Sequence, residues 1–350
     1  MPAKSGDEMP LYRTILLAAI MMLGAALPAA AADTESLSLA HATTVGIHNT
    51  YDKAAYTYLS QALDAGAAMI ELDTWVNVVT HKWNVSHGNP LASDNNCVQA
   101  STVSDLYTGN RSQNLDSCLD DIRIWLAAHP GHGPVMVKLE MKNGFDNSIG
   151  LGPAALDSYV KASLGGAAFR PADLLGGYPD LDTAVKAGAW PSRDSLAGKV
   201  IVEAIPGTFE EKNPFDHLWT DVEYAEHLRD LAAAGNIGSA EIFPAVLGAT
   251  AGDPRTRYSD TTIRPWFVVF DGDAATYVNG IDTSWYDTNH YLLVMTDAQG
   301  VSPAIDDTAP TVVQAQARVA QLAAAHASVV STDWRGLNTV LPEVLPRGSE

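Results

Sequence analysis

Two histidines, three carboxylates and one carboxamide stand at the ends of apolar runs in the first part of this 350-residue sequence. His48 and Asn49 close the run 43–48, Glu71 and Asp73 lie in 69–75, His87 ends 83–87, and Glu140 ends 134–141, with Lys142 two residues on. Side chains alternate faces along a strand, so Glu71 and Asp73 point one way while Ile70 and Leu72 point the other. Two carboxylates facing one space repel unless a proton or a cation lies between them. Calcium takes oxygen ligands, and Glu71, Asp73, Glu140 and the Asn49 amide oxygen make an incomplete shell with room for water or substrate. Zinc would recruit the two histidines instead. Each residue also has an ordinary explanation. A single histidine at a strand end is more often a hydrogen-bonded structural group, and an inward Glu is often paired to a Lys such as Lys138. Convergence changes the balance, because burying so many charges without a purpose costs several kcal/mol.

The elements that must position these groups are eight strand candidates: 43–48, 69–75, 83–87, 134–141, 199–204, 266–271, 291–296 and 328–334. Segments 54–65, 115–128 and 311–325 return apolar residues every three to four positions, as helices do. Alternating strands and helices indicate a parallel sheet, and no phosphate-binding glycine fingerprint follows the first strand. The expected fold is α/β, a single-domain, distorted TIM-like (β/α)8 barrel, in which reactive groups gather at the C-terminal strand ends. Residues 241–246 are a ninth strand candidate that Pro244 weakens, and 205–262 read as a helix-containing insertion.

A formal net charge of −20 without a Lys/Arg-rich run argues against nucleic acid as a partner. The same charge opposes an anionic membrane, so an anionic lipid substrate would need a local cation. Residues 1–32 carry the parts of a secretory signal: Lys4 and Arg13, an apolar run 15–27, Pro28 and the small residues 29–32. Removal near Ala32 would leave 33–350 as a secreted barrel domain; a single-span anchor over 14–32 is the rival reading. Cys97 and Cys118, the only cysteines, are expected to pair in that compartment.

The segments IHNTYD (47–52), IELDTW (70–75), VSHG (85–88) and VKLEMK (137–142) resemble the catalytic barrel of calcium-dependent phosphoinositide-specific phospholipases C, in particular the bacterial secreted members. The likeness covers 43–142, including the lead-in 118–135, and thins afterwards to GKVIVEA (198–204) and STDW (331–334). It implies one calcium ion held by Asn49, Glu71, Asp73 and Glu140, with His48 and His87 as the catalytic histidines. It further implies attack of the inositol 2-hydroxyl on phosphorus, with Glu71 or Glu140 taking its proton, His48 bonding the phosphoryl oxygens and His87 protonating the departing diacylglycerol. Lys142 would contact phosphate or inositol, or stand on the surface. The expected partner is phosphatidylinositol at a membrane surface, met peripherally by a monomer. Glu203 stands where animal members carry a lysine, and VMTDA (294–298) where related bacterial members tend to carry arginine, which points to the unphosphorylated lipid.

Two rivals differ in chemistry. A glycerophosphodiester phosphodiesterase has a similar second strand, but Arg and Asp typically follow its histidines where Asn49 and Gly88 stand here. A non-catalytic calcium or lipid-head-group binding protein would have no need of both His48 and His87. Other signals read as structure: His129 and His132 as turn residues, Asp271-Gly272-Asp273 as a strand-end turn, and Trp285 and Trp334 as core aromatics in preference to a lipid-facing rim.

Overall fold

Gly46 and Met69 meet at the seam that closes the sheet. A β-carbon on Gly46 would lie 2.5 Å from the Met69 Cβ, so a glycine is needed for β1 (Ala42–Ile47) to run parallel to β2 (Met69–Asn77) at this spacing. From β2 the ring continues through β4 (Val135–Met141), once the short β3 (Lys82–Val85) has paired antiparallel on the outer part of β2. It then passes through β5 (Val200–Pro206), β6 (Phe243–Leu247), β7 (Val269–Asp273), β8 (Leu292–Thr296) and β9 (Val329–Thr332), which pairs with β1. A final strand, β10 (Val344–Pro346), adds antiparallel to β1. The result is a closed eight-stranded parallel barrel wrapped by helices, as expected.

The structure, a computed structural model, describes Met1, residues 33–210 and residues 218–348. Asp33–Glu350 forms one compact unit. The expected signal segment falls, Met1 aside, outside the described residues. Among the described residues no helix is long and apolar enough to cross a membrane.

Two strand assignments change. The run 83–87 is not a barrel strand, because only the short turn after Asn77 separates it from β2, and a parallel partner needs a crossover of about a dozen residues. It folds back as a hairpin arm. Its place in the ring is taken by β6, inside the supposed insertion 205–262, which also carries the helix Thr220–Ala233. Pro244 is tolerated there because it is the second residue of β6, and pairing with β7 begins only at Ala245.

The outer layer follows from spacing. The helix Leu115–Ala128 buries Leu115, Cys118, Leu119, Ile122, Trp125 and Leu126, one stripe at helical period. The helix Val312–Ala324 starts at Thr311, whose side chain accepts from the Gln314 N–H in a capping box. Cys97 and Cys118 form a disulfide with Cα atoms 4.9 Å apart, tying the long connection after β3 to the first of these helices. Closing such a loop is worth about 3 kcal/mol on a chain-entropy basis. Trp334 is fully buried in the core, and Trp285 is partly buried, packing on Phe270 at the core's edge.

Candidate active site

Register carries the charged groups into two tiers inside the mouth of the barrel. In the deeper tier Glu71 of β2 lies beside Lys138 of β4, which lies beside Glu203 of β5. In the upper tier Asp73 lies beside Glu140. The strand parity of Glu71 and Asp73 thus places both in the interior, where each is almost completely buried.

The deeper tier is held by Lys138, whose ammonium lies 2.8 Å from Asp271 and 3.3 Å from Glu71. Burial disfavours its charge, yet Asp271, Glu71 and Glu203 together raise its pKa above the ordinary lysine value. Burial likewise opposes ionisation of Glu71, but Lys138, His48 and the Asn49 N–H at 3.0 Å outweigh it and lower its pKa. Glu203 gains less from Lys138 than burial costs it. Burial first, then the charge of Asp271, pushes its pKa well up, and neither of its oxygens has a hydrogen-bond partner. The Asp271-Gly272-Asp273 run therefore divides: Asp271 is an interior charge, while Asp273 caps the helix Ala274–Val278.

The upper tier gathers around Asp73. Oxygens of Glu71, Asp73 and Glu140 lie within 4.8 Å of one another. Asp73 is buried, and its charge is met by Lys142 at 2.9 Å and by His87 at 3.5 Å. Burial, then the charges of Glu140 and Glu71, raise its pKa to about 6. Three carboxylates clustered this closely fit a hard divalent cation, and calcium above all. Lys142, expected near the substrate or on the surface, is instead buried and bridges Asp73 and Glu140. Thr208 donates its N–H to Glu140 at 2.9 Å. That contact depends on Gly207, where a β-carbon would lie 2.3 Å from the Lys142 Cα.

The imidazoles flank this cluster. His48 follows β1 directly, with Nε2 3.5 Å from Glu71 and Nδ1 3.3 Å from Asp333, the residue just beyond β9. Burial works against its proton, but the Asp333 hydrogen bond and the Glu71 charge raise its pKa to about 9. Asn49 takes a left-handed conformation, φ 49°, which turns its N–H onto Glu71. His87 sits at the foot of the hairpin arm, held there by the Ser86 N–H on the Asp73 carbonyl and by the Trp75 indole N–H on the Ser86 carbonyl. Its Nδ1 faces the Tyr51 hydroxyl at 3.1 Å, and that hydroxyl donates to the Asn49 amide oxygen at 3.0 Å.

All the expected site residues therefore meet in one mouth. Tyr51 and Asp333 join them without having been singled out, and Asp271, read as part of a strand-end turn, joins them as an interior group on Lys138. Tyr51 stands within the first motif and Asp333 within STDW, so a census of all strand ends, beyond the first four, would have found the latter. His129 bonds and stacks on Trp125 in the turn after its helix, far in role from the mouth.

A family model described as phosphoinositide phospholipase C, Ca2+-dependent, matches residues 74–205, a span that includes His87, Glu140 and Lys142. A solved structure of a Ca2+-dependent phosphatidylinositol-specific phospholipase C from Streptomyces antibioticus is 57% identical, covering 89% of this chain and 99% of its own, with a TM-score of 0.87. Two structures of a calcium-dependent phosphoinositol-specific phospholipase C from a Gram-negative Pseudomonas share the fold. The myoinositol complex is 21% identical with a TM-score of 0.64, and an apo form is 19% identical with a TM-score of 0.66. Each covers 89% of this chain and 96% of its own. A comparison with curated proteins found no match. With its barrel, its acidic cluster and this degree of identity, the chain belongs to the family of calcium-dependent phosphatidylinositol-specific phospholipases C.

Proposed function

We propose that His48, His87, Glu71, Asp73, Glu140 and Asn49 together cleave phosphatidylinositol to diacylglycerol and an inositol cyclic phosphate. The observation that carries this reading is that one imidazole touches Glu71 while the other touches Asp73, so both stand within reach of a phosphodiester seated on the same acidic cluster. Asn49, Glu71, Asp73 and Glu140 would hold calcium, which when bound would supply positive charge for the phosphate and lower the pKa of the inositol 2-hydroxyl.

The chain's own groups do the rest. Glu71, ionised and fixed between Lys138 and the Asn49 N–H, or Glu140, accepts the hydroxyl proton. Intramolecular attack follows without loss of further freedom, since nucleophile and phosphorus belong to one molecule. His48, kept protonated by Asp333 and Glu71, donates to the phosphoryl oxygens as charge builds. His87 holds Nδ1 toward Tyr51 and Asp73, which leaves Nε2 to protonate the departing glycerol oxygen. Release of the hydroxyl proton to a carboxylate and delivery of another from His87 balance the step.

The chain would act as a monomer pressed against the bilayer by the face that bears the mouth. Val78 and Val79 at the hairpin tip and Leu218 and Trp219 beyond β5 are exposed apolar side chains suited to that contact. Phe209 on Trp75 joins the two segments. Export, with 1–32 removed and 33–350 as the mature domain, fits the buried Cys97–Cys118 bridge, which endures in an oxidising compartment.

Phosphorus NMR of the products from phosphatidylinositol tests this. A cyclic phosphate signal that needs calcium is the expected result; equal turnover in excess chelator would exclude the metal-dependent route.

A further inference from the structure

Lys142 follows the last residue of β4, and its backbone is held from both sides. Its N–H donates to the Thr74 carbonyl at 2.8 Å, its carbonyl accepts from the Phe209 N–H at 2.9 Å, and Gly207 presses on its Cα. At present the ammonium lies 2.9 Å from Asp73 and 3.0 Å from Glu140, with the side chain 6% exposed.

Lys138 makes the contrast. It is a mid-strand residue of the deeper tier, buried and paired to Glu71 and Asp271. Lys142 stands at the strand exit, on a four-carbon stem, against the two carboxylates of the upper tier. An ammonium and a divalent cation are drawn by the same concentrated negative charge, and two positive charges a few ångströms apart repel each other.

From this geometry we infer that Lys142 is a built-in rival of calcium, which shields Asp73 from Glu140, sets the calcium affinity below what the bare carboxylates would give, and is displaced when the ion binds. The inference rests on the calcium assignment proposed above. It makes Lys142 a tuning residue, outside the roles given to the imidazoles. Coupling between two ligands is reciprocal, so a side chain that yields to calcium must also weaken it.

The test is calcium binding to the full chain, by isothermal titration, for the wild type, Lys142→Met and Lys142→Arg. Lys142→Met is expected to bind calcium at least about fivefold tighter, the lower end of ordinary coupling between sites. In chelator it melts below the wild type, because Asp73 and Glu140 then repel unshielded. Should Lys142→Met fold only with calcium, its melting temperature followed across a calcium titration gives the same affinity. Lys142→Arg keeps the charge and is expected to bind no tighter than the wild type. Unchanged or weaker binding by Lys142→Met overturns the inference, since Lys142 would then be a support of the site. A wild-type chain that binds no calcium would end the calcium assignment itself, which separates the two failures.

Discussion

The Tyr51 hydroxyl stands between two groups of the mouth, 3.0 Å from the Asn49 amide oxygen and 3.1 Å from the His87 Nδ1. It donates to the first and can accept from the second, so one phenol orients the proposed ligand and the proposed acid together. Burial, then the charge of Asp73, raises its pKa far above the ordinary tyrosine value, which keeps it a neutral donor. Tyr51→Phe is expected to lower turnover by about 10-fold, as loss of an orienting partner usually does. Activity against calcium concentration checks whether the Asn49 side is also loosened, through a rise in the calcium needed for half-maximal rate.

His48 keeps its proton to about pH 9 because the Asp333 hydrogen bond and the Glu71 charge overcome burial. The role proposed for it needs that proton, so activity is expected to fall as pH rises through this value. Asp333→Asn removes one charge while leaving an acceptor near Nδ1. The alkaline limb of the pH–rate profile is expected to move down by about one unit, the lower end for loss of a neighbouring opposite charge.

Acid–base groups and ligands must separate under mutation. His48→Ala and His87→Ala are each expected to cut turnover by at least ~100-fold while calcium affinity stays nearly intact. Asp73→Asn reverses the pattern, raising the calcium requirement. Turnover at saturating calcium alongside direct calcium titration distinguishes the two behaviours.

How much of this was legible beforehand depended on locality. The parity of Glu71 and Asp73 needs only the two-residue period of a strand, and it placed both inside correctly. The neighbours of a strand are a different matter. The run 83–87 has the same composition as a barrel strand, and only the shortness of its link to β2 reveals a hairpin. Pro244 argued against β6 as though every residue of a strand must donate to a ladder, whereas the first ones need not. Lys142 was ambiguous because its surroundings depend on Gly207 and Phe209, which follow β5 and pack on its backbone from far along the chain. Asp333 comes from the far end of the chain to reach His48, and no local pattern announces that meeting.

Away from the mouth, Asp121 offers a test of the fold alone. Burial raises its carboxyl to about 8, although it accepts the Val98 N–H at 2.7 Å. An unfolded Asp titrates near 3.8, so between these values the folded chain holds the extra proton. Its contribution is complete below the unfolded value and is lost as pH rises through about 8. Asp121→Asn carries no charge at any pH and still accepts from Val98. It is expected to melt about 3 °C or more above the wild type at pH 9, and close to it at low pH, at fixed calcium.

The central claim is that one dication and two imidazoles act on a single phosphodiester. A crystal structure with calcium and an inositol phosphate bound tests it most directly. The expected map has calcium about 2.3–2.6 Å from oxygens of Glu71, Asp73, Glu140 and Asn49, with the phosphate between His48 and His87. Calcium bound elsewhere, or a phosphate out of reach of either imidazole, would contradict it.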